Sequence, residues 1–122
     1  MKTIDGSVRA ADYARSEDGH RRLTRVAVKL LDSALLYVQL VCRPGNRTVN
    51  ELAAQLEDCI PESFDSDEQF EKTPYGRRME ELAEACPGHP ATVAWKEFLA
   101  TPGSKKRALE MAFNVVRDFA NM

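Results

Sequence analysis

Leu30-Leu31-Asp32-Ser33-Ala34-Leu35-Leu36-Tyr37-Val38-Gln39-Leu40-Val41-Cys42 contains three polar residues in thirteen: Asp32, Ser33 and Gln39. Wound into a helix, the other ten cover almost its whole circumference. A helix that is apolar all round is buried in a bundle or shares a face with another chain. The stretch is too short and too interrupted for a membrane span, which needs about 20 apolar residues. Upstream, Leu23, Val26 and Ala27 continue the 3.6-residue period, and Glu17 and Asp18 suit a positive helix end. The central apolar helix is therefore expected to begin near Ser16 to Gly19 and to cover about 20–42. Arg43-Pro44-Gly45-Asn46 stops it.

Punctuation outward from this rod is helical throughout. Thr48-Val49-Asn50-Glu51 is a capping box opening a helix with Leu52, Ala53, Leu56, Cys59 and Ile60 on one face, ended by Pro61. Ser66-Asp67-Glu68-Gln69 repeats the pattern and starts a short helix that offers Phe70 to the core. Thr73-Pro74 gives N-cap and first-turn signals for a helix carrying Met79, Leu82, Ala83 and Cys86. After the breaker Cys86-Pro87-Gly88-His89-Pro90, a helix places Val93, Ala94, Trp95, Phe98 and Leu99 inward. Thr101-Pro102-Gly103 breaks again, and Ser104 caps a last helix with Leu109, Ala112, Phe113, Val116, Phe119 and Ala120 on its inner stripe.

No segment alternates polar and apolar residues strictly enough for a strand. The fold class expected is all-α, a compact bundle of five to six helices around the central one. Residues 1–18 form a polar arm or a short helix capped by Ser7, and 19–122 a single helical domain. A chain of 122 residues with 43% hydrophobic and 30% charged residues can bury enough core to fold without disulfides. Met1-Lys2-Thr3-Ile4-Asp5-Gly6 has no apolar leader pattern, and three cysteines (Cys42, Cys59, Cys86) read as reduced thiols. Cytoplasmic localisation is the expectation.

Charge is unevenly distributed. His20 to Leu31 carries Arg21, Arg22, Arg25 and Lys29 and no acid. Asn50 to Lys72 carries Glu51, Glu57, Asp58, Glu62, Asp65, Asp67, Glu68 and Glu71 against one base, a net −7. Arg21, Arg25 and Lys29 recur every four residues and would line one helical face, with Arg22 beside them. Either the two charged regions pair across the bundle or each faces a partner. Capping explains Glu51, Asp67 and Glu68. The wider set Glu57, Asp58, Glu62, Asp65, Asp67, Glu68 and Glu71 would present negative charge to a basic groove on another protein.

Thr48-Val49-Asn50-Glu51-Leu52-Ala53-Ala54-Gln55-Leu56 resembles the first helix of DNA-binding helix-turn-helix units. The resemblance implies a recognition helix in the next element, Ser63 to Lys72. That element carries Asp65, Asp67, Glu68 and Glu71, which phosphates would repel. Contact with nucleic acid would instead use Arg21, Arg22, Arg25 and Lys29, with Lys105-Lys106-Arg107.

Catalytic chemistry finds no constellation. Cys86 and His89 have the spacing of half a zinc site, without a second close pair. There is no Gly-rich phosphate loop, no H-E-x-x-H, and no Glu-x-x-His pattern among Glu80, Glu81 and Glu84. No cofactor, metal site or catalytic residue is expected. The chain reads as a non-enzymatic binding module, an adaptor or inhibitor, whose partner is another protein. Trp95 and Phe98 read as core anchors. Met111 and Val115 widen the apolar stripe of the last helix, so a homodimer or docking on a larger protein is a second expectation.

Overall fold

Thr24 opens the central helix: its side-chain oxygen accepts a hydrogen bond from the Ala27 N–H at 3.2 Å. We describe a computed structural model of the chain, which defines residue 4 and residues 23–120, for Phe119 the backbone alone. Among these residues six α-helices and one 3-10 turn follow in order: α1 (Arg25–Leu40), the turn (Pro44–Asn46), α2 (Val49–Glu57), α3 (Glu68–Glu71), α4 (Pro74–Ala85), α5 (Pro90–Ala100) and α6 (Lys105–Ala120). The chain is an all-α bundle. Helix α1 packs mainly against α5 and α6 and also meets α2, while α2 leans on α6, and α4 bridges α5 and α3.

The rod begins later than its composition implies. A start near Ser16 to Gly19 is overturned, because Thr24 is in extended conformation and caps the helix, so α1 begins at Arg25. Apolar periodicity continues upstream of a helix whenever the approaching chain also packs on the core, and only the cap marks the first turn. Arg21 and Arg22 lie outside the described residues, as does the arm expected at 1–18 except for Ile4. That residue is buried, and its N–H donates to the Arg47 carbonyl at 2.8 Å.

Within α1, Val26, Ala27, Leu30, Leu31, Ala34, Leu35 and Val38 are buried, together with the polar Ser33 and Gln39. Burial fails only at the end, where Leu40 is 52% exposed and Val41 39%. The polar interruption at Ser33 has a role in the core. Its hydroxyl lies 2.9 Å from the Ala91 carbonyl of α5 and 2.7 Å from the Tyr75 hydroxyl of α4. A carbonyl can only accept, so Ser33 donates to Ala91 and Tyr75 donates to Ser33. One satisfied chain of bonds thus fixes α1, α4 and α5 in a single register.

Rings extend this knot across the bundle. Tyr75 meets Tyr37 at 5.9 Å and Trp95 at 5.1 Å between centroids, and Trp95, Phe98, Phe70 and Phe64 continue the series. Mostly edge-to-face contacts of this kind add to the gain from burial alone. At the other junction, Gly103 has φ +136°, and a Cβ there would lie 2.7 Å from the Val26 side chain. The α5–α6 corner therefore needs glycine both for its backbone and to close on α1.

Several inward assignments fail. Helix α2 ends at Glu57 rather than at Pro61, and Ile60, beyond it, is exposed instead of joining the inner face. Helix α3 is capped at Asp67 with no side-chain bond, so Ser66 is not its cap, although Phe70 is buried as expected. Cys86 closes α4 exposed, Val93 points outward, and Val115 is buried rather than spare, with Met111 half-buried against the core. The caps at Thr48, Thr73 and Ser104 stand, each accepting an N–H three residues on.

Gly76 carries a testable consequence. A Cβ at this position would lie 2.7 Å from the Glu71 carbonyl oxygen and closer still to that of Phe70. Both obstacles are backbone, so α4 and the α3 turn would have to separate. Alanine gains about 1 kcal/mol of helix propensity over glycine, but overpacking costs about 1–3 kcal/mol. Gly76→Ala is expected to lose stability on balance, read as a lower urea midpoint with unchanged slope.

Candidate functional site

The acidic segment falls at one end of the bundle, on the C-terminus of α2, the loop 58–67 and the α3 turn. Two of its carboxylates have structural duties. Asp58 pairs with Arg78 at 2.6 Å. Arg78 also donates to the Gln55 side-chain oxygen at 2.9 Å, and Gln55 in turn donates to Glu51 at 2.8 Å. Asp67 accepts from Lys105 at 3.1 Å, whose ammonium sits 5.7 Å from the Phe98 ring centre and is nearly buried. These bonds tie α2 to α4, and the α3 turn to the start of α6. The Asp58 carbonyl adds a further tie by accepting the Tyr75 N–H at 3.1 Å.

The remaining carboxylates behave differently. Glu57, Glu62, Asp65, Glu68 and Glu71 are exposed and make no ion pair with the described residues. The Asp65 carboxylate takes a bond from the Ser63 hydroxyl at 3.2 Å, which shapes the loop. So of the seven acids singled out from the sequence, five stand exposed outside ion pairs with the described residues and two act as struts. Thr48 caps α2 by accepting the Glu51 N–H at 3.2 Å, while the Glu51 carboxylate accepts from Gln55.

The basic face is described only in part, because Arg21 and Arg22 lie outside the described residues. Helix α1 begins at Arg25, so Arg25 and Lys29 are the two members of the set that lie on it. Lys29 forms an ion pair with Glu97 of α5, outside the acidic segment. The two charged regions therefore do not pair with each other among the described residues. Their partners, Arg78, Lys105 and Glu97, lie in α4, α6 and α5.

The thiols have separate environments. Cys59 is fully buried, donates to the Gln55 carbonyl at 3.3 Å, and burial raises its pKa well above the ordinary 9.0. Cys42 is half-buried and also raised, first by burial and then by the nearby Glu51 charge. Cys86 is exposed, and the His89 Nδ1 accepts the Ala91 N–H at 3.1 Å as the cap of α5. That bond engages one of the two ring nitrogens, Nδ1, in capping. Among the described residues no group of three or more His, Cys, Asp or Glu side chains could hold a metal ion, and no helix is long and apolar enough to cross a membrane.

Tyr75 is fully buried, and burial lifts its pKa well above the usual 10.0. Both Tyr75 and Cys59 stay neutral in the fold but ionise when the chain unfolds. Their contribution is complete below about pH 9 and is lost as pH climbs past the unfolded-state values, because unfolding then releases protons. Stability should fall above about pH 9, by up to about 1.4 kcal/mol per pH unit for each ionised group. Urea midpoints measured from neutral to strongly alkaline pH check this; a flat profile would contradict it.

An open groove of about 660 Å³ runs between α3, α4 and α5. Its rim mixes Glu68, Glu71, Glu80 and Glu84 with Lys72, Arg77 and Lys96, over a floor that includes Met79 and Trp95. No thiol, hydroxyl–imidazole pair or carboxylate pair in an apolar setting lines it. Two features escaped sequence reading: Ser33 as a core anchor, whose signal was its isolation within an apolar run, and the exposure of Ile60 and Phe64. Comparison of the chain with protein families, with curated proteins and with solved structures returns no match.

Proposed function

We propose that the chain is a non-enzymatic protein-binding module, an adaptor or inhibitor, whose acidic end occupies a basic site on another protein, one that otherwise holds nucleic acid. The observation supporting this reading is the set Glu57, Glu62, Asp65, Glu68 and Glu71, exposed together and out of ion pairs with the described residues. Exposed carboxylates steer a basic partner, and these five can meet it without breaking an ion pair to the described residues. Free thiols at Cys42, Cys59 and Cys86 support a reducing, cytoplasmic setting.

The test is affinity capture from the native host with the intact chain, followed by mass spectrometry of protein and nucleic acid. Glu62, Asp65, Glu68 and Glu71 are then reversed to Lys, sparing Asp58 and Asp67 because they hold Arg78 and Lys105. A basic protein retained by the wild type and released by salt should be lost by this variant, with its helical circular dichroism intact. Unchanged retention removes the reading.

A further inference from the structure

Two of the large apolar side chains left exposed, Ile60 at 49% and Phe64 at 43%, sit on the α2–α3 loop inside the acidic segment. Phe64 is held in place. Its ring meets buried Phe70 edge-on at 5.9 Å, and the Lys106 ammonium lies 5.8 Å from its centre. The loop is fixed by two reciprocal bonds: the Ser63 hydroxyl donates to the Asp65 carboxylate at 3.2 Å, and the Asp65 N–H donates back to Ser63 at 3.4 Å. Beside Ile60 a depression of about 320 Å³ opens toward Thr73 and Pro74.

An aromatic side chain fixed before binding loses little freedom when a partner covers it. Interface energy concentrates in such anchors when polar groups ring them. Here the exposed charge of the segment is negative on balance: Glu57, Glu62, Asp65, Glu68 and Glu71 outnumber Lys72 and Arg77, which line the depression beside Ile60, and Lys106, which lies over Phe64. Charge complementarity then selects the occupant: apolar residues for Ile60 and Phe64, flanked by Lys or Arg for the carboxylates. We propose that Ile60 and Phe64 are the apolar anchors of a docking surface for a cationic amphipathic helix of a protein partner. The inference rests on the acidic-surface reading and adds a requirement for shape that charge alone lacks.

Fluorescence anisotropy with two labelled peptides of about 16 residues, long enough to hold a helix, separates the two claims. One is a Lys/Leu amphipathic helix and the other a Lys/Ser peptide of equal charge. The intact chain should bind the Lys/Leu peptide about tenfold or more tightly than the Lys/Ser peptide, one well-placed anchor being worth that much. Ile60→Ser with Phe64→Ser should erase the preference, and Ile60→Ser alone, which leaves the Phe64–Phe70 contact untouched, should erase part of it. Val93→Ser, at an exposed apolar site on α5, should leave it intact. Equal binding of both peptides, or a preference that survives the Ile60 and Phe64 changes, overturns the anchors while the acidic reading stands. Binding that survives reversal of Glu62, Asp65, Glu68 and Glu71 overturns both.

Discussion

Replacing Tyr75 by alanine is expected to cost about 3–5 kcal/mol of unfolding free energy, the range for deleting a fully buried aromatic ring. Domains of this size are stable by about 5–15 kcal/mol in total, so the variant should sit near the edge of folding. The ring touches Tyr37 and Trp95, and its hydroxyl bonds Ser33, so three helices meet on this one side chain. Tyr75→Phe keeps the packing and removes only the hydroxyl. Ser33 would retain its bond to the Ala91 carbonyl at 2.9 Å, which limits the loss to about 1 kcal/mol. Urea unfolding of the pair measures the split. Equal costs would show that the hydrogen bond, rather than the ring, carries the junction.

That junction marks how far the sequence could be read. The apolar run 30–42 announced a central helix, and caps at Thr48, Thr73 and Ser104 were legible because they are local chemistry. The start of α1 was not, since period alone pointed past Thr24 to the polar segment upstream. Tyr75 gave no signal: it stands beside Pro74 and Gly76 at the first turn of α4, and its burial depends on Ser33 forty-two residues away. Ile60 and Val93 fit apolar stripes by spacing, but their helices end early or turn that position to water. Which stripe residue is covered is decided by neighbouring elements, which a single periodicity cannot specify.

The candidate surface was legible as composition and illegible as division of labour. Eight acids between Asn50 and Lys72 are plain in the chain. Glu51 is bonded by Gln55 of its own helix, and that Asp58 and Asp67 serve Arg78 and Lys105, leaving the other five outside ion pairs with the described residues, depends on side chains brought in from α4 and α6. The exposed pair Ile60 and Phe64 sat unseen within the same segment.

Reversing Glu62, Asp65, Glu68 and Glu71 to Lys should weaken binding to the captured protein by more than about 100-fold. Like charges set against a basic surface cost several kcal/mol, and each 1.4 kcal/mol is about tenfold. The change should fall on the association rate and on its salt dependence, because these carboxylates are exposed and screened at about 8–10 Å in ordinary buffers. Reversal of Arg25 and Lys29 to Glu provides the counterpart on α1, where Lys29 already pairs with Glu97. The decisive measurement is calorimetric titration of the captured partner with wild type, the acidic-end variant and the α1 variant, at low and high salt. The acidic-end variant should lose its affinity and its salt dependence while the α1 variant binds within about threefold of wild type. Loss of binding in the α1 variant with the acidic-end variant unchanged would contradict the assignment of function to the acidic end.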